Sequence, residues 1–494
     1  MKNWQTSKLG GCKLTINHSS NLNAKATFAS LPAVPDERAV NELLADELLD
    51  FNKKIIVLDD DPTGVQTVHG ISVYTDWSAE SIESGFAEKN SMFFVLTNSR
   101  GFTAAETERA HKEIAKVIQE TAEKQNKEFI IISRGDSTLR GHYPLETDVL
   151  KNMLEAHSDM PFNGEVIMPF FKEGGRFTIN NVHYVQDEDA LVPAGDTEFA
   201  KDRTFGFKAS HLGEWAEEKS NGTFKAEDAV YLSLESIRDL DFDGLVSQLM
   251  AVEDFNKVIV NAVEYVDAKV VVIALIRAIK AGKHFLFRSA AALTKIIGGI
   301  DDKPLLTKEE LTKEDSGHGG LIMIGSHVKK TTEQFEALRT CDFIEFIEFD
   351  VHLVLHPNKF EAEIQRVIEA SEELIRKGKT VTVYTKRERL DLGENKKEEE
   401  LKLSVKISDA VTSIVKQLEV RPSFIIAKGG ITSSDIGTNG LGVKRATVAG
   451  QVKPGIPVWL TGGESKFPGM AYVIFPGNVG SKATLKEVAE LMHQ

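Results

Sequence analysis

Three consecutive carboxylates, Asp59, Asp60 and Asp61, follow directly on the apolar run Ile55-Ile56-Val57-Leu58 and precede Pro62, Thr63 and Gly64. Neighbouring carboxylates repel one another, so keeping three at the end of an apolar segment calls for cations or a ligand. As chemistry they are candidate general bases, nucleophiles or metal ligands. Arginines stand in polar, glycine-containing turns after other apolar runs: Arg100, Arg134, Arg140 and Arg176. A guanidinium is a planar fork that grips carboxylate or phosphate through two parallel hydrogen bonds. An acid that activates a hydroxyl, beside arginines that hold an anion, suits a small polyhydroxy acid. His69 and His142 follow two of these turns and are further candidates for substrate contact. One arginine alone would as readily be half of a structural ion pair; four at the ends of apolar runs carry more weight.

The second half of the chain is rich in glycine at the ends of apolar runs: Gly325, Gly429-Gly430, Gly462-Gly463, Gly477 and Gly480. Glycine lets backbone N–H groups approach a phosphate closely, and a following helix start adds favourable dipole. Lys428-Gly429-Gly430-Ile431-Thr432-Ser433-Ser434-Asp435 adds hydroxyls suited to phosphate oxygens or a metal ion, with Asp435 equally suited to capping. There is no G-x-x-x-x-G-K-[ST] loop and no strand followed by G-x-G-x-x-G, which argues against the common P-loop and dinucleotide-binding folds. The thirteen histidines form no H-E-x-x-H, and with two cysteines there is no C-x-x-C, so no zinc site is expected. Ser326 lacks a G-x-S-x-G elbow.

The elements that must position these groups are short buried strands alternating with helices. The apolar runs 55–58, 92–96, 129–132 and 165–168 read as strands of a parallel sheet buried on both faces. Helices are expected over 36–51 and over 104–124, the latter capped by Thr103 with Glu106 three residues on. Further α/β units follow at 230–250 and 258–280, then a strand at 285–287. A loop-rich stretch separates Thr178 from these units. In the second half, strands are expected at 321–324, 381–384, 424–427 and 471–475, with a long charged helical region from 327 and a solvated charge run over 386–402. The alternation predicts two α/β domains, each a mostly parallel sheet flanked by helices, with the active site in the cleft between them. The expected division is an N-terminal extension and helix over 1–50, of which 1–30 reads as a poorly ordered tail. A domain over 51–300, a linker over 301–320 and a domain over 321–494 follow.

Composition narrows the function. A formal net charge of -15 on 494 residues argues against nucleic acid as partner. No apolar run reaches the roughly 18 residues of a membrane span, and the first residues lack the apolar core of a secretory signal. Two cysteines far apart in sequence, Cys12 and Cys341, fit a reducing cytoplasm. A homo-oligomer is left open.

Two families share the opening motif. The strand followed by Asp59-x-Asp61-x-Thr63 resembles phosphatases of the haloacid dehalogenase type, which would make Asp59 a nucleophile and Asp61 its acid/base partner. More of the chain resembles the four-carbon acid sugar kinase family. That family's acid motif is similar to Asp59-Asp60-Asp61-Pro62-Thr63-Gly64. Its D-S-T-L-R-G segment stands intact at 136–141. Similar segments occur at 175–183, 192–202, 288–291, 325–326, 429–433 and 476–480, in the family's order from about Lys54 to Lys486. The resemblance implies an ATP-dependent kinase acting on a terminal hydroxyl of a tetronate or 3-oxo-tetronate. It implies Asp60 or Asp61 as the catalytic acid and Asp60, Arg100, Arg134, Asp136, Ser137 and Arg140 at the substrate. ATP would lie on Ser326, Gly429, Gly430, Ile431, Thr432, Ser433, Gly477 and Asn478. Mg²⁺ would accompany the phosphates, with its protein ligands unknown. Ile431 departs from the family's acid and Asn261 from its Asp, and Pro62 with residues 65–69 marks a longer branch. A third reading is a non-catalytic sensor of sugar acid or nucleotide.

Overall fold

The computed structural model describes residues 21–156, 161–311, 317–388 and 397–493. Its strands, in chain order, are β1 (Leu22–Asn23), β2 (Lys54–Asp59), β3 (Ser72–Tyr74), β4 (Met92–Leu96), β5 (Phe129–Arg134), β6 (Gly164–Met168), β7 (Arg176–Ile179), β8 (Val182–Asp187), β9 (Ala190–Pro193), β10 (Val230–Leu232), β11 (Asn256–Val260) and β12 (Phe285–Ser289). The second half adds β13 (Leu321–Ile324), β14 (Ile344–Phe349), β15 (Thr380–Thr385), β16 (Phe424–Lys428), β17 (Arg445–Lys453), β18 (Ile456–Thr461) and β19 (Ala471–Phe475). β2, β4, β6, β12, β13, β16 and β19 are buried at every residue. That is why they appear as unbroken apolar runs. Helices cover both faces.

The N-terminal half is a parallel sheet in the order β10-β11-β6-β12-β5-β2-β4-β3, which places β2 between β5 and β4. The ends of those three strands carry the acids, Arg134 and, a few residues on, Arg100. The C-terminal half has β13 between β15 and β16, and β16 between β13 and β19, all parallel. The two halves are joined edge to edge. β3 pairs antiparallel with β17, and β17-β18-β19 continue into the second half, so a single 15-stranded sheet runs through the molecule. Arg445 reinforces the seam by donating to Ser72 Oγ at 3.1 Å and to Glu88 Oε1 at 2.8 Å.

The helix over Glu37–Leu49 is capped by Asp36, and that over Ala104–Gln125 has the expected Thr103–Glu106 capping box. Four regions differ from the sequence reading. The supposed tail up to Ser30 contains β1, paired with β9, and the helix Ala24–Ser30, its Ala24 buried. The stretch after Arg176 folds as an antiparallel sheet, β1-β9-β8-β7, whose strands are joined by tight turns at Asn180-Asn181 and Glu188, all with positive φ. The long charged region contains β14 between the helices Lys329–Leu338 and Pro357–Arg376. β17 and β18 form a hairpin that the sequence reading had not placed. Residues 1–20, with Cys12, lie outside the described residues, as does 389–396 within the charge run. Cys341 is buried and free.

Candidate active site

β2 delivers its three acids into different surroundings. Asp59 is 1% exposed, its carboxylate lying beneath Gly64, where an added Cβ would come within 1.9 Å of Oδ2. Only the absence of a side chain at Gly64 allows that approach. Arg134 Nη1 stands 3.5 Å from Asp59 Oδ1, an oxygen with no hydrogen-bond partner. Burial holds the Asp59 carboxyl well above the usual carboxylate range, against the pull of Arg134. Asp60 receives Arg100 as a fork, Nη2 to Oδ1 at 2.6 Å and Nε to Oδ2 at 3.2 Å. Its pKa is raised because burial outweighs Arg100. Asp61 caps the short 3₁₀ turn Pro62–Val65, accepting from the Thr63 N–H at 2.8 Å, and meets Arg100 Nη1 at 3.2 Å. For Asp61 burial is again the largest influence and raises the pKa, but Arg100 and Thr63 together outweigh it, and the carboxyl is held below its ordinary value.

The segment after β5 supplies the next layer. Asp136 accepts from Arg140 Nε at 2.6 Å and from the Thr138 hydroxyl. Burial opposes its ionisation, yet Arg140 and Arg100 hold it far below the usual range. Ser137 is buried, and its carbonyl meets the ring of His183 at 2.8 Å. Arg288, at the end of β12, donates to Glu146 Oε2 at 2.7 Å and to the Arg140 carbonyl at 3.2 Å, closing the loop from behind. Arg140 and Arg176 both lie over the ring of Phe199, at 5.1 and 5.9 Å from its centroid.

The opposite rim is built from backbone and hydroxyls. Gly429, with φ +120°, turns the chain from β16 into the short helix Gly430–Asp435. Ser326 after β13 and Gly477 after β19 are drawn together by Thr331, whose hydroxyl stands 3.4 Å from Ser326 Oγ and 3.4 Å from the Gly477 carbonyl. The Thr432 hydroxyl lies 2.6 Å from where a Cβ on Gly325 would be. Ile431 is 70% exposed, and Asn478 is exposed beside Gly477. Ser433 does not join the rim: its hydroxyl turns inward and donates to the Ala427 carbonyl at 2.7 Å. Beneath this rim Lys428 is fully buried and donates to the Pro476 carbonyl at 2.5 Å. Burial pulls its ammonium down to about 7.

The two rims meet at Asp61. A Cβ placed on Gly430 would come within 2.8 Å of Asp61 Oδ2, so the acid of one half faces the glycine turn of the other at van der Waals range. Gln66 makes a second link, accepting from Arg134 at 3.3 Å and donating to the Gly455 carbonyl of the β17–β18 hairpin at 3.1 Å. Among the described residues no group of three or more His, Cys, Asp or Glu could hold a metal ion.

Comparison with known proteins matches one family model to each half of the chain. Residues 55–297 match the sugar-binding N-terminal domain and residues 321–485 the nucleotide-binding C-terminal domain. The chain belongs to the four-carbon acid sugar kinase family. No curated protein matches it in sequence. Two solved structures share the fold. One, a Haemophilus influenzae protein from a family of unassigned function, is 17% identical, with a TM-score of 0.58, over 89% of this chain and all 100% of its own. The other, a Salmonella typhimurium protein described provisionally as a tRNA synthase, is 15% identical, with a TM-score of 0.61, over 88% of this chain and 98% of its own.

Asp60, Asp61, Arg100, Arg134, Asp136, Ser137 and Arg140 thus gather on one side of the seam and Ser326, Gly429, Gly430, Ile431, Thr432, Gly477 and Asn478 on the other. His69 and His142 are bound elsewhere, to the Asp301 carbonyl at 3.0 Å and the Phe102 carbonyl at 2.9 Å. The sequence reading missed Glu146, and noted Arg288, Gln66, Lys428 and Phe199 only as parts of motifs. Lys428 alone carried a usable signal, a cation ending an otherwise apolar strand.

Proposed function

We propose that this protein transfers the γ-phosphoryl group of ATP to a terminal hydroxyl of a small sugar acid, a tetronate or 3-oxo-tetronate. The observation that carries this reading is the meeting of Asp61 with Gly430. It sets an ionised carboxylate of the sugar-binding half against the glycine turn of the nucleotide-binding half. A hydroxyl held by Asp61 attacks the γ-phosphorus in line, the bond to the bridging oxygen of ADP breaks, and the hydroxyl proton passes to Asp61. Phosphoryl transfer of this kind depends mainly on positioning and charge neutralisation. Asp60 acts through Arg100, fixing the guanidinium that also holds Asp61. Ser326, Thr432 and the backbone at Gly429, Gly430 and Gly477 supply neutral donors for the phosphates. Magnesium enters this reading with the nucleotide's phosphates alone, because Asp59, Asp60 and Asp61 are engaged by Arg100 and Arg134.

A phosphatase of the haloacid dehalogenase type would need Asp59 as nucleophile. Its carboxylate is covered by Gly64 and nearly sealed from solvent, leaving no approach for a phosphorus atom. The test is ADP release from ATP with a panel of tetronates and 3-oxo-tetronates. Release that depends on both substrates supports the kinase. Phosphate-ester hydrolysis abolished by Asp59→Asn would replace it with the phosphatase. A ligand-induced thermal shift without turnover in either assay would replace it with a sensor.

A further inference from the structure

Arg100 ends on Asp60 and Asp61, Arg134 on Asp59, Arg140 on Asp136 and Arg288 on Glu146. Arg176 is the exception. Among the described residues no carboxylate stands within ion-pair distance of its guanidinium, although the residue is 9% exposed and its Nε is sealed from solvent without a hydrogen-bond partner. Burying a cation without a counter-ion is strongly unfavourable. In a chain of formal net charge -15, acids to neutralise it are abundant, and none is there.

The side chain is held in place all the same. Its backbone exchanges hydrogen bonds with Phe171 at 2.9 and 3.1 Å, where β7 begins. Its guanidinium shares the Phe199 ring with that of Arg140. Two like charges on one ring repel, and both gain from an anion placed between or beside them. Asp136, the acid whose field Arg176 feels most, is already held by Arg140. Burial lowers the Arg176 pKa from its ordinary value, in keeping with a cation that lacks its partner.

We propose that Arg176, seated with Arg140 on the face of Phe199, receives the carboxylate of the sugar acid as a bidentate pair. The ligand class rests on the kinase reading above. A nucleotide phosphate is the other anion of the proposed reaction, but the glycine rim that would hold phosphates lies across the seam, whereas Arg176 shares the Phe199 ring with Arg140 of the 136–141 loop. Arg100 and Arg134, engaged by the protein's own acids, then position Asp60 and Asp61 and leave the carboxylate to Arg176.

The experiment compares wild type with Arg176→Met and Arg176→Lys in full-length protein. Steady-state kinetics are run with erythronate and threonate, with the uncharged polyols erythritol and threitol, and with ATP. Arg176→Met is expected to raise the sugar-acid KM about 30- to 100-fold, the usual scale for losing a charge-assisted pair. It should leave the ATP KM and the slow polyol rate within about twofold, since neither uses the carboxylate site. Arg176→Lys, which keeps the charge and loses the fork, should fall between. Without ligand, Arg176→Met should melt no lower than wild type, because it removes an unpaired buried charge; a purely structural arginine would lower the melting temperature. An unchanged sugar-acid KM overturns the proposal and leaves the kinase reading standing, and a raised ATP KM assigns Arg176 to phosphate instead. If wild type turns over no sugar acid, the kinase reading fails, and calorimetric titration with erythronate and threonate decides alone. Binding that is lost in Arg176→Met upholds the proposal, and equal or absent binding overturns it.

Discussion

The two rims of the seam solve the problem of holding anions by opposite means. The N-terminal rim does it with full charges in buried places: Asp59, Asp60, Arg134 and Arg288 are each nearly or wholly enclosed, and most of the cations are already tied to an acid. The C-terminal rim uses fewer. It is made of backbone groups, threonine and serine hydroxyls and the exposed Ile431, with Lys428 hidden below and Arg387 donating to the Ser326 carbonyl at 2.7 Å. Paired buried charges are costly to rearrange and fix geometry closely, which suits selection of one small acid by shape and charge. Neutral N–H and O–H donors tolerate a ligand that brings its own counter-ion, as a nucleoside triphosphate does. On the proposed reading, specificity resides in the first rim and the phosphoryl donor in the second, and Asp61 is where they touch.

The largest effect is expected from cutting that touch on its acidic side. Asp61→Asn should lower kcat about 10³-fold with little change in either KM, as for loss of a positioned proton acceptor. Asp60→Asn should weaken Arg100's hold and raise the sugar-acid KM as well. Asp59→Asn should reduce stability more than turnover, because Asp59 faces Gly64 and Arg134 rather than the seam. A fall in kcat from Asp59→Asn equal to that from Asp61→Asn would reverse the ranking of the acids.

Next comes the same contact from the neutral side. In Gly430→Ala the new methyl meets Asp61 Oδ2 at 2.8 Å, and either the turn or the carboxylate must shift. A displacement near 1 Å at a reacting group costs about 10²-fold in rate. The variant should lose about that factor in kcat while keeping its sugar-acid affinity by calorimetry. If ATP affinity alone changed, Gly430 would belong wholly to the second rim and the contact with Asp61 would carry no catalytic weight.

The buried charge of the second rim is read through stability. Burial lowers the Lys428 pKa from 10.5 to about 7. Between those values the unfolded chain binds a proton that the folded chain does not, so this group makes stability rise with pH, by up to about 1.4 kcal/mol per unit. Below about pH 7 its contribution is flat. The difference in unfolding free energy between wild type and Lys428→Met, from urea titrations at pH 6 to 10, should follow that course. Parallel curves would show an ammonium that stays charged against the Pro476 carbonyl.

Much of this arrangement is legible in the chain, and the illegible part has a common cause. Strands buried on both faces announce themselves: 54–59, 92–96, 129–134, 321–324, 424–428 and 471–475 all end where apolar runs give way to glycine, proline or charge. β14 is harder because it is the sheet's outer edge, with only part of its surface covered, so Ile344-Glu345-Phe346-Ile347-Glu348-Phe349 mixes acids with apolar residues. β7, β8 and β9 are short and joined by tight turns, which reads as loop. The site's gathering of residues is a different matter. Arg288 and Glu146 are brought together by the order β6-β12-β5, and Asp61 and Gly430 by the β3–β17 seam. Local sequence fixes where a strand ends and which residues stand there; which ends become neighbours depends on pairing between segments far apart in the chain.

Ile431 offers the smallest effect and the finest test of the contrast between rims. It stands where the family carries an acid, and it is 70% exposed with no enclosing contacts to lose. Replacing it should therefore change stability by no more than about 0.5 kcal/mol. A glutamate there would place an acceptor carboxylate beside the glycine turn, able to take hydrogen bonds from ribose hydroxyls. An isoleucine cannot. Wild type should then use ATP and 2′-deoxy-ATP with KM values within about twofold. Ile431→Glu should open a gap of about 5- to 10-fold in favour of ATP, the scale of one hydrogen bond of ordinary net strength at an exposed site. Sugar-acid KM should stay fixed, because the first rim is untouched. A wild-type enzyme that already separates the two nucleotides would mean that ribose is read by another residue, and that the neutral rim discriminates more than its composition suggests.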